Sequence, residues 1–149
     1  MAFDAFLKID GITGESRGGE IRLESFSWGI SNSSSSATSG SGAGAGKASF
    51  QDFSFAAVVG RQSPKLFEAA AEGRRISSAT LTVTDKIEPL TIKFSEVFIS
   101  SYKLDEGAIK LSEGVLPAVQ LGPPMESVSF NFAKVEFLAG GNVGSGIVG

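Results

Sequence analysis

Apolar and polar residues alternate along most of this chain, and the alternation repeatedly changes phase. From Pro124 to Phe137 the large apolar positions are Val128, Phe130 and Phe132, followed by Ala133, Val135 and Phe137 on the other parity. Side chains on a strand point to opposite faces in strict alternation, so a strand with one buried face keeps one parity. A slip marks a bulge, or a strand whose second half buries its other face. The same slip separates Ile21 and Leu23 from Phe26, Trp28 and Ile30, near Glu24-Ser25. It also separates Phe50 from Phe53, Phe55, Ala57 and Val59, and Leu90, Ile92 and Phe94 from Val97 and Ile99. Phe3 to Ile9 alternates, with Phe6 as an apolar exception on the outer face, and Ser78 to Thr84 alternates Thr with Ala79, Leu81 and Val83. The pattern predicts strands over 3–9, 20–30, 47–59, 78–84, 90–102 and 127–138. Its slips point to a barrel whose outer surface is also used.

One helix is expected, over about 64–72. Ser63 is the candidate N-cap, Pro64 suits the first helical position, and Gly73 suits the left-handed C-terminal conformation. Leu66, Phe67, Ala70 and Ala71 form the expected apolar face, with Lys65, Glu68 and Glu72 on the wet one. Isolated helices need roughly 12–15 residues to persist, so this one must dock on the sheet, with Phe67 as the expected anchor. Residues 31–46 are almost wholly Ser, Gly and Ala and read as a flexible loop. Residues 103–124 hold Gly107, Gly114, Pro117, Gly122 and Pro123-Pro124, with Ile109, Leu111, Val115 and Leu116 pointing to an extra hairpin. After Leu138 the chain is rich in turn residues. The expected organisation is one domain over 1–138 and a frayed, flexible C-terminal tail over 139–149. The fold class is all-β: a closed antiparallel β-barrel of two packed sheets with one short flanking α-helix.

Composition narrows the chemistry. A chain of 149 residues makes one domain that buries roughly two thirds of its unfolded surface, and 12 Phe form a β-leaning aromatic set. The chain has no His and no Cys, which removes the commonest general base, thiolate metal sites and cysteine nucleophiles. A net charge of −3 speaks against a nucleic-acid partner. The N-terminus has no basic lead into an apolar stretch and reads as no secretory signal. No apolar run approaches the roughly 18 residues of a membrane span, so no membrane insertion is expected.

Local motifs add nothing catalytic. Ala43 to Ser49 superficially resembles a phosphate-binding loop, but Ser41 and Ala48 stand where that loop needs Gly and a magnesium-binding Ser or Thr. There is no Gly-x-Ser-x-Gly elbow. The 16 acids are scattered, and most are expected on solvent faces or in turns. Asn32-Ser33-Ser34 matches a glycosylation acceptor incidentally, and Trp28 reads as core. No enzyme activity, metal or cofactor follows from these residues.

Several segments together resemble the haemolysin-coregulated protein (Hcp) family of type VI secretion tube subunits. They are Phe3 to Ser16, Ser25-Phe26-Ser27-Trp28-Gly29-Ile30-Ser31, Gly44 to Lys47 with Phe50 to Phe53, Ser63 to Phe67, Val97 to Tyr102 and Met125 to Glu136. The resemblance runs in order from Phe3 to about Phe137. It implies a β-barrel with a flanking helix that assembles as a hexameric ring, rings that stack into a hollow tube, and a lumen that carries small effector proteins. It further implies spike and sheath proteins as partners, and a product made in the cytoplasm and secreted without a cleaved signal. Carried over by position, Ser31 is the expected lumen contact with effectors. The loop holding Ser33, Ser36, Ser39, Gly42 and Gly44 is the expected ring-stacking contact. The residues alone leave two other readings, a stand-alone β-barrel binding module and a ring-forming relative without a sheath.

Overall fold

The computed structural model describes residues 4–32, 48–84, 89–105 and 123–148. It contains strands β1 (Asp4–Ile9), β2 (Ile21–Leu23), β3 (Ser25–Ser27), β4 (Ile30–Asn32), β5 (Ala48–Phe50) and β6 (Phe53–Val58), then helix α1 (Ser63–Glu72). After these come β7 (Arg75–Thr84), β8 (Leu90–Asp105), β9 (Met125–Asn131), β10 (Lys134–Ala139) and β11 (Asn142–Ile147). The loop expected beyond Asn32 and the hairpin expected around Ile109 to Leu116 lie outside the described residues, as does Phe3.

The main sheet runs in the order β2-β1-β7-β8-β9-β6-β3, with β10 beside β8 and β11 beside β10. All pairings are antiparallel. The two ends of that path, β2 and β3, are halves of one segment joined by the single residue Glu24. Its N–H donates to the Ala56 carbonyl at 2.8 Å. The sheet thereby curls back on itself, although among the described residues no ladder joins β2 to β6. A separate two-stranded ribbon, β4-β5, lies over the β10–β11 side, where Phe50 packs on Phe132 and close above Gly146.

The phase slips are explained by a crease across three adjacent strands. In β7 the buried residues Ile76 and Ala79 are three apart; in β8 the same holds for Phe94 and Val97, and across β9 and β10 for Phe132 and Val135. The slips lie at one level, because Ala79 pairs with Phe94 and Phe94 with Val135, while Ile76 pairs with Val97. At the crease Glu96 takes φ 57, a conformation that residues other than Gly, Asn and Asp rarely adopt. Opposite it, Ala133 N–H donates to the Ser95 carbonyl at 3.0 Å. A further bulge in β8 falls between Ile99 and Ser101.

These slips keep the core on the inside. Phe53, Phe55, Val97, Ile99 and Val135, all past a slip, are buried, and Phe26 stacks on Phe53 at 5.9 Å. The slips therefore restore the inward face for these residues, whereas Ile30 and Phe137, also past a slip, are 56% and 39% exposed. Phe53, Phe94 and Phe130 fill the interior, their ring centroids 5.1–5.2 Å apart.

Two local expectations also change. Ser63 is the first helical residue rather than the cap; Gln62 occupies the cap position without a capping side-chain bond. The helix buries Leu66 and Ala69, whereas Phe67 is 58% exposed and forms a T-shaped pair with Tyr102. Residues after Leu138, expected to fray, form β11. Gly140 and Gly141, with φ of 55 and 83, make the tight turn from β10, a two-residue connection matched to strand twist. Gly73 ends α1 with φ 65, as expected.

The anchor of α1 is thus Leu66, wholly buried on the sheet. Leu66→Ala is expected to cost about 2–5 kcal/mol in urea unfolding, as for other buried leucines. Phe67→Ala is expected to cost less than about 1 kcal/mol. The reverse ranking contradicts this docking.

Candidate assembly surfaces

The face of α1 that meets the barrel is held by a polar cluster as well as by Leu66. Glu126, wholly buried, begins the β9 series that continues inward through Val128 and Phe130. Gln62 Nε2 donates to Glu126 Oε2 at 2.7 Å and to the Val58 carbonyl at 3.1 Å. Tyr102 Oη donates to Glu126 Oε1 at 2.8 Å. Ser63 Oγ accepts from the Gly60 N–H at 3.0 Å. The helix start, β6, β8 and β9 are thereby tied through one carboxyl group whose two oxygens each take part in a hydrogen bond, as buried polar groups generally do. Burial pushes the Tyr102 phenol up to about 12, with the Glu126 hydrogen bond and charge adding to the rise and a Ser63 hydrogen bond opposing it.

A second tie joins this end to the 12–20 loop. Glu15 Oε2 accepts from the Arg61 backbone N–H at 2.9 Å. Gly60 sits so close to Gln62 and Glu15 that a Cβ there would come within 2.9 Å of both. A larger residue at that approach would push the Gln62 and Glu15 side chains aside.

Among the described residues the most exposed large apolar side chains lie in two places. Phe67 and Leu104, each 58% exposed, flank Tyr102 at the α1 end. Ile30, Val143 and Ile147, at 56%, 63% and 74%, lie on the β4–β5 ribbon and on β11. Between these places the outer face of β3, β6, β9 and β8 is paved with Ser25, Ser27, Ser54, Ser127, Ser129 and Ser101 around a shallow groove. Ser54 and Ser129 bond to each other at 2.8 Å. Among the described residues no group of three or more Asp, Glu, His or Cys could hold a metal ion, and no helix is long and apolar enough to cross a membrane.

Ser31 lies in β4, exposed, directly opposite Ser49 in the ribbon. Ser33, Ser36, Ser39, Gly42 and Gly44 lie outside the described residues. The sequence reading missed Gln62, Tyr102 and Glu126 as a unit. Its signal was present for Glu126, which shares parity with Val128, Phe130 and Phe132 and so belongs to the inward series. Trp28 packs against Phe94, Phe132 and Phe137, in keeping with a core role, and its buried Nε1 finds no acceptor among the described residues.

Comparison with known proteins places this architecture. Residues 6–138 match the family model described as "Type VI secretion system effector, Hcp". A solved structure of a type six secretion system protein is similar at 25% identity and TM-score 0.76, over 97% of this chain and 93% of that one. Hcp1 from Salmonella typhimurium is similar at 28% identity and TM-score 0.66, over 97% and 93%. A type VI secretion system effector from Yersinia pestis is similar at 26% identity and TM-score 0.65, over 96% and 97%. No curated protein matches the chain.

Tyr102 is the chain's only tyrosine, so its ultraviolet ionisation reads the polar cluster alone. A raised pKa means the folded state holds the proton more tightly. The associated stability is fully present below pH 10.0 and is lost as pH rises through about 12. The phenolate absorbance of the native protein is expected to develop with a midpoint near 12, against 10.0 in denaturant. Glu126→Gln should lower the native midpoint. A native midpoint at the denatured value contradicts the cluster.

Proposed function

The chain belongs to the Hcp family, structural tube subunits of type VI secretion rather than enzymes, and from that premise we propose that it assembles as a hexameric ring. Rings stack into a hollow tube that carries small effector proteins in its lumen. The tube works with spike and sheath proteins and leaves the cell without a cleaved signal. The observation that carries this reading is the family match across nearly the whole described fold, joined to apolar surface that a solitary subunit leaves exposed at both the α1 end and the β11 side. Large exposed apolar residues gathered on a soluble domain mark contact surfaces.

Within the ring Ser31 is assigned to the lumen, where a short, neutral hydroxyl can hold cargo by hydrogen bonds without gripping it. The loop with Ser33, Ser36, Ser39, Gly42 and Gly44 is assigned to contacts between stacked rings, where ordering on contact would suit a Ser- and Gly-rich sequence. The reading as a lone binding module has less support, since Phe53, Phe94 and Phe130 occupy the interior that a ligand would need.

Light scattering on the eluting protein is expected to give six chain masses, and negative-stain images are expected to show rings. A monomer across micromolar concentrations contradicts the proposal. Ser31→Gln should leave the rings intact and lower effector retention several-fold; unchanged retention removes Ser31 from the lumen. Deleting residues 33–44 should spare the rings and weaken their stacking.

A further inference from the structure

We propose that the cleft between β2 and the end of β6 binds an alkylammonium ion, an aliphatic chain ending in a primary ammonium group. The site lies outside the ring reading and needs no second subunit. It arises at the seam of the sheet. Glu24 N–H reaches the Ala56 carbonyl at 2.8 Å, but among the described residues no ladder continues from there between β2 and residues 57–59. The two edges part, and a cleft of about 370 Å³ opens between them, lined by Glu15, Ile21, Glu24, Val58, Val59 and Gln62.

A buried acceptor borders this cleft without a donor. Gln62 is 2% exposed, and its Nε2 donates to both the Val58 carbonyl and Glu126 Oε2, at 3.1 and 2.7 Å. A backbone carbonyl only accepts, so the amide orientation is fixed by its partners, with nitrogen toward Val58 and Oε1 away from it. Oε1 turns instead to Glu15: a Cβ on Gly60 would stand 2.9 Å from Gln62 Oε1 and 3.1 Å from Glu15 Oε2. Among the described residues no N–H or O–H donates to Gln62 Oε1. Glu15 Oε2 takes the Arg61 N–H at 2.9 Å, which leaves the second oxygen of that carboxylate over. The Glu24 side chain, exposed at the cleft, enters no hydrogen bond or ion pair among the described residues. Arg22 also borders the cleft, and its guanidinium is engaged by Asp4 at 3.0 Å.

What is left over selects the ligand. The unused groups are acceptors, Gln62 Oε1, one Glu15 oxygen and the Glu24 carboxylate, beside a guanidinium already neutralised. A donor-rich cation satisfies them through charge-assisted bonds, whereas an anion meets two carboxylates and is repelled. The positive pole of α1 lies at Gln62, and Glu15 already answers it by accepting from the Arg61 N–H one residue before. The donor set does not suit a metal ion. Among the described residues no three Asp, Glu, His or Cys come together, and hard divalent cations ask for several oxygen ligands. The walls are apolar, with Ile21 buried and Val58 37% exposed, so a ligand with an aliphatic stem covers them while its charged head meets the acceptors. Small diffusible amines and lysine side chains both carry that group.

Isothermal titration of the full chain with pentylamine at neutral pH and low salt tests the site. Pentanol serves as the uncharged probe and acetyl-lysine methylamide as the lysine probe. Wild type is expected to bind pentylamine saturably with a Kd of about 1 mM, the range open to a ligand of so few atoms. Pentanol is expected to bind at least tenfold more weakly. Glu24→Gln, whose side chain holds nothing else in place, should weaken the amine at least fivefold. Glu136→Gln, which removes the same charge on β10 away from the cleft, should leave its binding unchanged. A lysine probe that binds as well as pentylamine supports the site and makes a protein side chain its occupant. One that binds tenfold worse supports it with a free amine as occupant. Absence of saturable binding to wild type, equal binding of pentanol, or equal losses in Glu24→Gln and Glu136→Gln overturns the site. Each of these results leaves the ring reading standing, because the titration reads the cleft whether or not rings form.

Discussion

The crease across β7, β8 and the β9–β10 segment is the constraint on which the rest of this structure depends. Each strand there points two residues outward in succession: Ser77 and Ser78, Ser95 and Glu96, Ala133 and Lys134. A slip in one strand alone would turn its far half inside out, because a one-residue shift exchanges every side chain between faces. Slipping together, the strands keep their pairing and their buried rows, Ile76 with Val97 and Ala79 with Phe94 and Val135. The sheet bends instead of splitting. On one side of the bend β10 carries β11 and meets the β4–β5 ribbon; on the other, β8 and β9 receive α1.

That geometry decides where apolar surface can be left over. The strand interiors are used up inside, by Phe53, Phe94 and Phe130 and their neighbours. Among the described residues the most exposed large apolar side chains are Phe67 and Leu104 beside the helix, Ile30 on the ribbon, and Val143 and Ile147 on the last strand. The buried link from Gln62 through Glu126 to Tyr102 fixes α1 against the barrel and so fixes the position of Phe67.

Much of this was legible in the residues, and the failures have identifiable causes. The slips at Glu24, before Phe53, after Phe94 and after Phe132 were visible as parity changes. The matching slip in β7 was not, because Ile76 precedes the stretch where alternation is regular. Their meaning was also misread, since periodicity within one strand cannot tell a bulge that restores the inward face from a strand that exposes its other one. Only pairing between strands separates the two. The helix posed a similar limit: Leu66 and Phe67 are adjacent, about 100° apart around the axis, and the facing sheet chooses between them. β11 went unrecognised because glycine and serine carry little strand signal, although Gly140-Gly141 after an apolar run is a hairpin turn. Ser31 was placed by resemblance, and its position in β4 puts it on an exposed ribbon but does not by itself assign it a partner.

The most direct test of the crease is a pair of substitutions at Glu96, compared by urea unfolding. Its φ of 57 is natural for glycine and strained for a β-branched residue. The exposed pair with Arg75 at 3.4 Å is lost in both variants and cancels from their difference. With the crease, Glu96→Gly is more stable than Glu96→Val by about 1–3 kcal/mol. At an ordinary exposed strand position the order reverses, with valine ahead by up to about 1 kcal/mol, and that result would contradict the account.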